Sequence, residues 1–285
     1  MTRLHIVHTT TFAYERPAVA SYNEVRMRPA TIPGQMVLAS RVTATPSTWS
    51  HEYRDYWGTH VVGFEVLRRH SELVVVSEST VDLAARPDPG ATGVADAVEW
   101  STLTELAVVD RLAEYLATTA ATAPSDGLAA LALERAGGLG PAEAALAVCN
   151  AVRDAVEYVP GATGVHTRAT EAWEQRKGVC QDIAHLALGA LRSLGIPARY
   201  VSGYLHPLGY EAKPGETFVG ESHAWIEFWC GDWYPYDPTN RTSVGDHHVV
   251  VGRGRDYYDV TPLRGVLAGG GRSRQSVEVR LTLEA

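Results

Sequence analysis

The residue spacing of this chain changes twice along its length, and that change limits the fold more than any single residue does. Thr2–Phe12 is rich in β-branched residues, Met36–Thr45 is extended, VVGFEVLRR at 61–69 follows a Trp57-Gly58 turn, and Leu73–Leu83 alternates. Short strands at regular spacing with turn signals between them predict a β-sandwich over residues 1–85. Residues 86–100, with the Pro- and Gly-dense Arg86–Gly93, read as a linker. Leu103–Thr118 and Pro141–Val159 then place apolar residues at helical spacing, and Pro141 after Gly140 suits a first helical turn. Ile183–Leu194 is an apolar helix stopped by Gly195 and Pro197. Strands return at Ala198–Leu205, Ser222–Trp229 and Trp233–Asp237, and the tail adds Val249–Val251, Tyr257–Val260 and Ser276–Leu283. Gly269–Gly271 reads as a loop. The whole is an α+β chain whose second unit is residues 101–285.

At 285 residues the chain has room for about two domains of ~150 residues. With 45% apolar and 20% charged residues it buries a core without disulfide or metal staples. A net charge of −8 argues against nucleic acid as a partner, because phosphate binding needs a concentrated positive field. The arginines at Arg26–Arg28 and Arg253–Arg255 are short, mixed runs. The first residues, MTRLHIVHTT, show no apolar signal region, and apolar runs such as Leu73–Val76 are far too short for a bilayer. Three cysteines without paired spacing make no disulfide framework, so a reducing cytoplasm is the expected compartment.

Chemistry concentrates in RKGVCQD at 176–182. Cys180 stands where the apolar helix begins, and Gly178 permits a tight approach just before it. A thiol at a helix start feels the positive end of the backbone dipole, which favours the thiolate. Free N–H groups there also suit a developing oxyanion. By contrast, Cys149 lies inside the apolar helical face AALAVCNAV, and Cys230 sits at a turn beside Gly231-Asp232. Both read as structural.

A thiol nucleophile needs a base, and the base needs an orienting group. His223 begins the strand SHAWIEFW and Asp237 ends WYPYD. A three-residue loop at 230–232 sets Trp229 opposite Trp233 and Trp225 opposite Asp237, which leaves His223 one diagonal step from Asp237 on the same face. A two-residue loop at 231–232 would put them on opposite faces.

Together GVCQD, LGIPARYVSGYL, SHAWIEFW and WYPYDPTN resemble the transglutaminase-like family of cysteine enzymes over roughly residues 145–242. SYNEVRMRPAT at 21–31 is similar to the N-terminal region of its bacterial members. The resemblance implies a papain-like core with the cysteine helix packed on an antiparallel sheet. It also implies Cys180 as nucleophile, His223 as base and Asp237 as the residue that orients it. The implied reaction forms a thioester acyl-enzyme from a peptide or amide substrate, without a cofactor. Hydrolysis, glutamine–amine transfer and a non-catalytic binding role all occur on this fold; the intact Cys–His–Asp set speaks against the last.

Tyr158 is a candidate second oxyanion donor, with core packing as the other reading. Trp173 and Trp225 are candidates for a substrate cleft, although large aromatics are commonly core. His185, five positions after Cys180 and about 500° further round the helix, points away from the thiol and reads as a packing residue. Asp182 in the first helical turn is expected to be structural. No metal site is expected: CxxC and HExxH are absent, and the neighbours His247 and His248 face opposite ways on a strand.

Overall fold

The computed structural model describes residues 2–84, 98–207 and 213–284. Of the predicted linker over 86–100, residues 86–97 lie outside the described residues, and Trp100 already begins a short helix.

One strand organises the first part of the chain. β1 (Thr2–Val25) runs for 24 residues and changes partners half-way. Its first half pairs with β5 (His70–Leu83), and its second half with β4 (His60–Val66), which pairs in turn with β3 (Trp49–Arg54). The ladder is irregular between Ala13 and Ala18. Pro17, which has no N–H to give a ladder, stands in that stretch. β2 (Gln35–Thr45) lies on the far side of β5. Val25, Met27, Val62, Phe64 and Leu73 form a cluster within this curled sheet. The expected sandwich of residues 1–85 is therefore corrected to one continuous antiparallel sheet.

Its remaining strands come from the opposite end of the chain. β9 (Thr217–Gly220), β14 (Leu263–Gly269) and β15 (Ser273–Leu283) complete eight strands, with Leu4 opposite Leu283 and Tyr22 opposite Val266. Pairing across such sequence distance is not encoded by any local signal, so a reading of nearby strands closes the sheet on the wrong partners.

Among the described residues the helices are α1 (Trp100–Leu103), α2 (Leu106–Leu116), α3 (Asp126–Ala136), α4 (Pro141–Ala155), α5 (Ala169–Gln175) and α6 (Cys180–Ser193). Helix α3, started by Ser125 accepting the Leu128 N–H, was not foreseen. Helix α4 stops before the expected Val159, because Glu157–Tyr158 (β6) pairs in parallel with Lys177–Gly178 (β7). Tyr257–Val260, read as extended, contains a single 3₁₀ turn at Tyr257–Asp259, started by Asp256 accepting the Tyr258 N–H.

Helix α6 is the axis of the second part, with every residue from Gln181 to Arg192 buried. The carbonyl of Thr122 crosses it so closely that a Cβ on Gly189 would lie 2.1 Å away. Arg192 clamps its far end, donating to the carbonyls of Tyr115, Ala198 and Arg255. A five-stranded antiparallel sheet packs against it. Its order is β12 (Thr242–Ser243), β11 (Trp233–Asp237), β10 (His223–Trp229), β8 (Ala198–Leu205), β13 (His248–Gly254). Ala224, Ile226 and Phe228 of β10 join the helical core, while Trp225 packs with Val201, Val250 and Ile32.

The two sheets are joined by polar pairs as well as apolar ones. The Gln35 side chain donates to the Val250 carbonyl at 2.8 Å and accepts the Val250 N–H at 2.8 Å, so an amide side chain imitates a strand partner. The Tyr204 hydroxyl donates to the Met27 carbonyl at 2.9 Å. Among the described residues no helix is long and apolar enough to cross a membrane.

Candidate active site

Helix α6 starts on Cys180 itself, so the thiol occupies the first helical position, half-buried. Asp182 folds back to accept the Val179 N–H at 2.8 Å and the Thr163 hydroxyl at 2.5 Å. The fold-back lies directly over Gly178, where a Cβ would sit 2.7 Å from the Asp182 Cβ. Glycine is thus required by close approach, and Asp182 is the N-terminal clasp of the helix. The first N–H groups of the helix have no carbonyl one turn back, so they remain for an acceptor near the thiol.

The hairpin of β10 and β11 takes the three-residue loop, with Trp229 opposite Trp233 and Ile226 opposite Tyr236. His223 Nε2 and Asp237 Oδ2 are 2.7 Å apart. The other nitrogen of the ring remains for the thiol, and Cys180 lies close enough to favour charge on the imidazole. Burial opposes charge on His223, but the bonds and attraction of Asp237 and Cys180 outweigh it and raise the imidazole to about 10. Asp237 is fully buried, which alone would favour its neutral form. Hydrogen bonds from His223, His248 and Asn240 win, and the carboxyl is held far below its usual range.

Two of these donors were not read from the sequence. Asn240 gives its side-chain amide to Asp237 Oδ2 at 2.7 Å, and the N–H groups of Thr239 and Asn240 reach Oδ1 at 3.0 and 3.1 Å. His248 Nε2 lies 3.3 Å from the same Oδ2. The Asp-Pro-Thr-Asn run was a signal for the first, since aspartate readily accepts from N–H groups two and three residues on. His247 pairs with Asp246, and alternation turns its neighbour His248 inward, where it is buried.

Other expected residues fall elsewhere. Trp225 is fully buried, stacked 6.1 Å from His223 and edge-on to His248 at 5.2 Å. It supports the histidines from behind, because alternation along β10 puts it on the face of the sheet that packs on Ile32 and Val250. Trp173 packs in the helical core beneath the Arg176 guanidinium. Neither tryptophan is among the residues lining the cleft, which corrects the expectation that they do. Tyr158 is exposed and sits opposite Gly178 in the small parallel pair, two residues from Cys180. His185 is buried and accepts the Tyr257 N–H at 3.1 Å. Cys149 and Cys230 are buried, and burial pushes both thiols up, Cys230 to about 12.

Cys180 and His223 open into a cleft of about 430 Å³. Gln181, Tyr200 and Ser202 line it together with His8 and Thr10 of β1 and Gln275 of β15. Glu221 is the one carboxylate among its described lining residues. A groove of equal volume on the outer sheet, floored by Gly63 and flanked by Trp49 and Tyr22, contains no cysteine.

Comparison with known proteins agrees with this architecture. Residues 129–238 match the transglutaminase-like superfamily, and residues 4–82 match the bacterial transglutaminase-like N-terminal region. The chain belongs to the transglutaminase-like superfamily. The superfamily match contains Cys180, His223 and Asp237 and ends before His248. An uncharacterized protein of Mycobacterium leprae is 43% identical over 282 residues, 99% of each chain. A crystal structure from Cytophaga hutchinsonii, named a "Putative Cysteine Protease", shares the fold with a TM-score of 0.76. It is 22% identical, and the alignment covers 99% of this chain and 90% of that one. A protein-glutamine gamma-glutamyltransferase of Pseudomonas aeruginosa is 35% identical over 90 residues, 30% of this chain and 13% of its own.

Proposed function

We propose that this transglutaminase-like protein is a cysteine enzyme that opens an amide or peptide bond through a thioester, with water as the acceptor. The observation that carries this reading is the Asp237–His223 pair at 2.7 Å, its carboxylate fully buried, beside a thiol at the first position of a helix. An aspartate kept ionised in the interior holds an imidazolium, and an imidazolium holds a thiolate.

The residues divide the work as follows. The Cys180 thiolate attacks the amide carbonyl, forming the C–S bond and an oxyanion. The first N–H groups of α6 serve that oxygen, and Tyr158, opposite Gly178 but outside the residues lining the cleft, is the candidate for a second donor. Collapse breaks the C–N bond as His223 gives its proton to the leaving amine. Water then loses a proton to His223 and attacks the thioester, and Cys180 leaves as thiolate with the acid released. Asp237 takes no proton; it keeps the imidazole oriented and charged.

Amine transfer differs only in the acceptor. A lysine acceptor is best served by several carboxylates at the thiol, and the single Glu221 of the cleft favours water. The test is mass spectrometry of the protein with a library of peptide amides, with and without a millimolar lysine peptide. A Cys180-linked acyl adduct and release of free acid are expected. Predominant amine adduct would replace hydrolysis by transfer, and absence of any Cys180 adduct would remove the enzyme reading.

A further inference from the structure

Behind the base stands a second imidazole, supplied by a strand beyond the matched superfamily core. His248 opens β13 and is 1% exposed. It approaches the Asp237 oxygen that holds His223, at 3.3 Å. Its protonation follows from its neighbours. Nδ1 lies 3.4 Å from the Gly245 N–H, which is a donor, so Nδ1 keeps its lone pair and the proton sits on Nε2, toward Asp237. A charged ring would set a second N–H against that of Gly245, 6.3 Å from the His223 imidazolium. The same reasoning argues against a metal held by His223, Asp237 and His248, whose ligand atoms lie within 4.8 Å of one another: His248 would have to lose its only ring proton.

The ring is also built in by packing. Trp225 lies against it edge-on, and Gly203 makes room for that tryptophan, since a Cβ there would lie 2.5 Å from the indole. Orientation of Asp237 does not depend on His248, because Thr239 and Asn240 already hold both carboxylate oxygens. What His248 adds is a neutral dipole that takes a share of the charge on Oδ2.

We propose that His248 is a positioning residue that acts through Asp237 to temper the basicity of His223, a role that rests on the cysteine-enzyme reading above. The groups facing His223 are Asp237 from β11, Cys180 from α6, His248 from β13 and the Asn240 amide. Tyr158 and Glu221 lie further out in the same field. Facing His248 are Asp237, His223, Trp225 and its neighbour His247.

The test needs no substrate. The rate of Cys180 alkylation by iodoacetamide is followed against pH for the wild type, His248→Leu and His248→Gln, with site identity read by peptide mapping. Without the His248 donor, Oδ2 gives more of its charge to His223, so the inflection at which His223 loses its proton moves to higher pH. A rise of half a unit or more is expected for Leu, with Gln, whose amide also donates, recovering at least half of it. An unmoved or lowered inflection in Leu overturns the proposal, as does an equal shift in Gln. Nitrogen NMR of the wild type at neutral pH covers a Leu variant that does not fold: His248 is expected protonated at Nε2 alone, and any other state overturns the role. If wild-type Cys180 reacts no faster than Cys149 and Cys230, the enzyme reading fails and takes His248 with it. A fast Cys180 with an unmoved Leu profile removes His248 alone.

Discussion

The two walls of the cleft treat a buried histidine in opposite ways. On the wall built by β1, His8 is held by neutral partners: the Tyr204 hydroxyl at 3.0 Å and the Thr10 hydroxyl at 3.3 Å. Tyr204 spends its own proton on Met27, so His8 donates from Nδ1 and accepts the Thr10 proton at Nε2. Burial is then unopposed and lowers the ring to about 4. On the wall built by β10, His223, largely enclosed but open to the cleft, is raised to about 10. The difference is one carboxylate and one thiol. Burial sets the size of the stakes, and the partner decides the sign. One wall therefore holds charge for chemistry, and the other offers neutral hydrogen bonds to whatever lies in the cleft.

Removing the carboxylate should make the walls alike. In Asp237→Asn, His223 loses the partner that outweighs its burial and falls below 6.5. Cys180 then loses the oriented imidazole that activates it. Iodoacetamide labelling of Cys180 at pH 6 should fall by two to three powers of ten, with the fold checked by circular dichroism. Labelling within threefold of the wild type would break the comparison.

The converse change puts an acid on the other wall. Thr10→Asp places a carboxylate beside Nε2 of His8, and an opposite charge at that range raises an imidazole by about 1–3 units. Proton NMR titration should find His8 lifted from about 4 by roughly two units. A histidine that stays near its wild-type value would show that something other than the missing acid keeps it neutral.

Two glycines sharpen the contrast in packing. A Cβ on Gly203, in the catalytic wall, would lie 2.0 Å from the Val249 carbonyl oxygen and 2.5 Å from the Trp225 ring. Neither can yield, so Gly203→Ala should cost about 3 kcal/mol or more in denaturant unfolding. A Cβ on Gly63, in the outer sheet, would lie 2.3 Å from the His51 ring, an exposed side chain stacked between Trp49 and Tyr53 rather than fixed backbone. Gly63→Ala should stay within about 0.5 kcal/mol of the wild type. Equal losses from both would mean that the outer aromatic row is as fixed as the cleft.

What was legible followed the range of the signal. The start of α6 at Cys180, the stop at Gly195, the close approach at Gly178 and the meeting of His223 with Asp237 all depend on a few neighbouring residues. A loop count fixed the hairpin because side chains alternate with a period of two. The junction of β1 with β15 and the Gln35–Val250 pair lie beyond local reasoning, since their partners are more than 200 residues apart. Trp225 was read by type rather than by face. Its place in the alternation with Ala224 and Ile226 already put it opposite the helix.

An effect smaller than the Gly203 loss tests the neutral wall through stability. The unfolded chain binds a proton on His8 below about pH 6.5, whereas the folded chain does so only near 4. Between those values the unfolded state holds more protons, so stability falls as pH falls and is fully present above 6.5. His185, lowered to about 3 by burial, adds the same sign over a wider span. His223 has the opposite sign: the folded state holds its proton up to about 10, so that contribution is complete below 6.5 and is lost as pH rises toward 10. In His8→Gln the amide keeps a donor and an acceptor at the wall but cannot titrate. Its stability should match the wild type above pH 7.5, shifted by at most a constant, and fall less steeply between 6.5 and 4. The gain should be about 2 kcal/mol at pH 5. The alkaline limb should not change, because His223 and its carboxylate are untouched. An acid limb identical to the wild type would assign the whole slope to His185 and leave His8 titrating alike in both states.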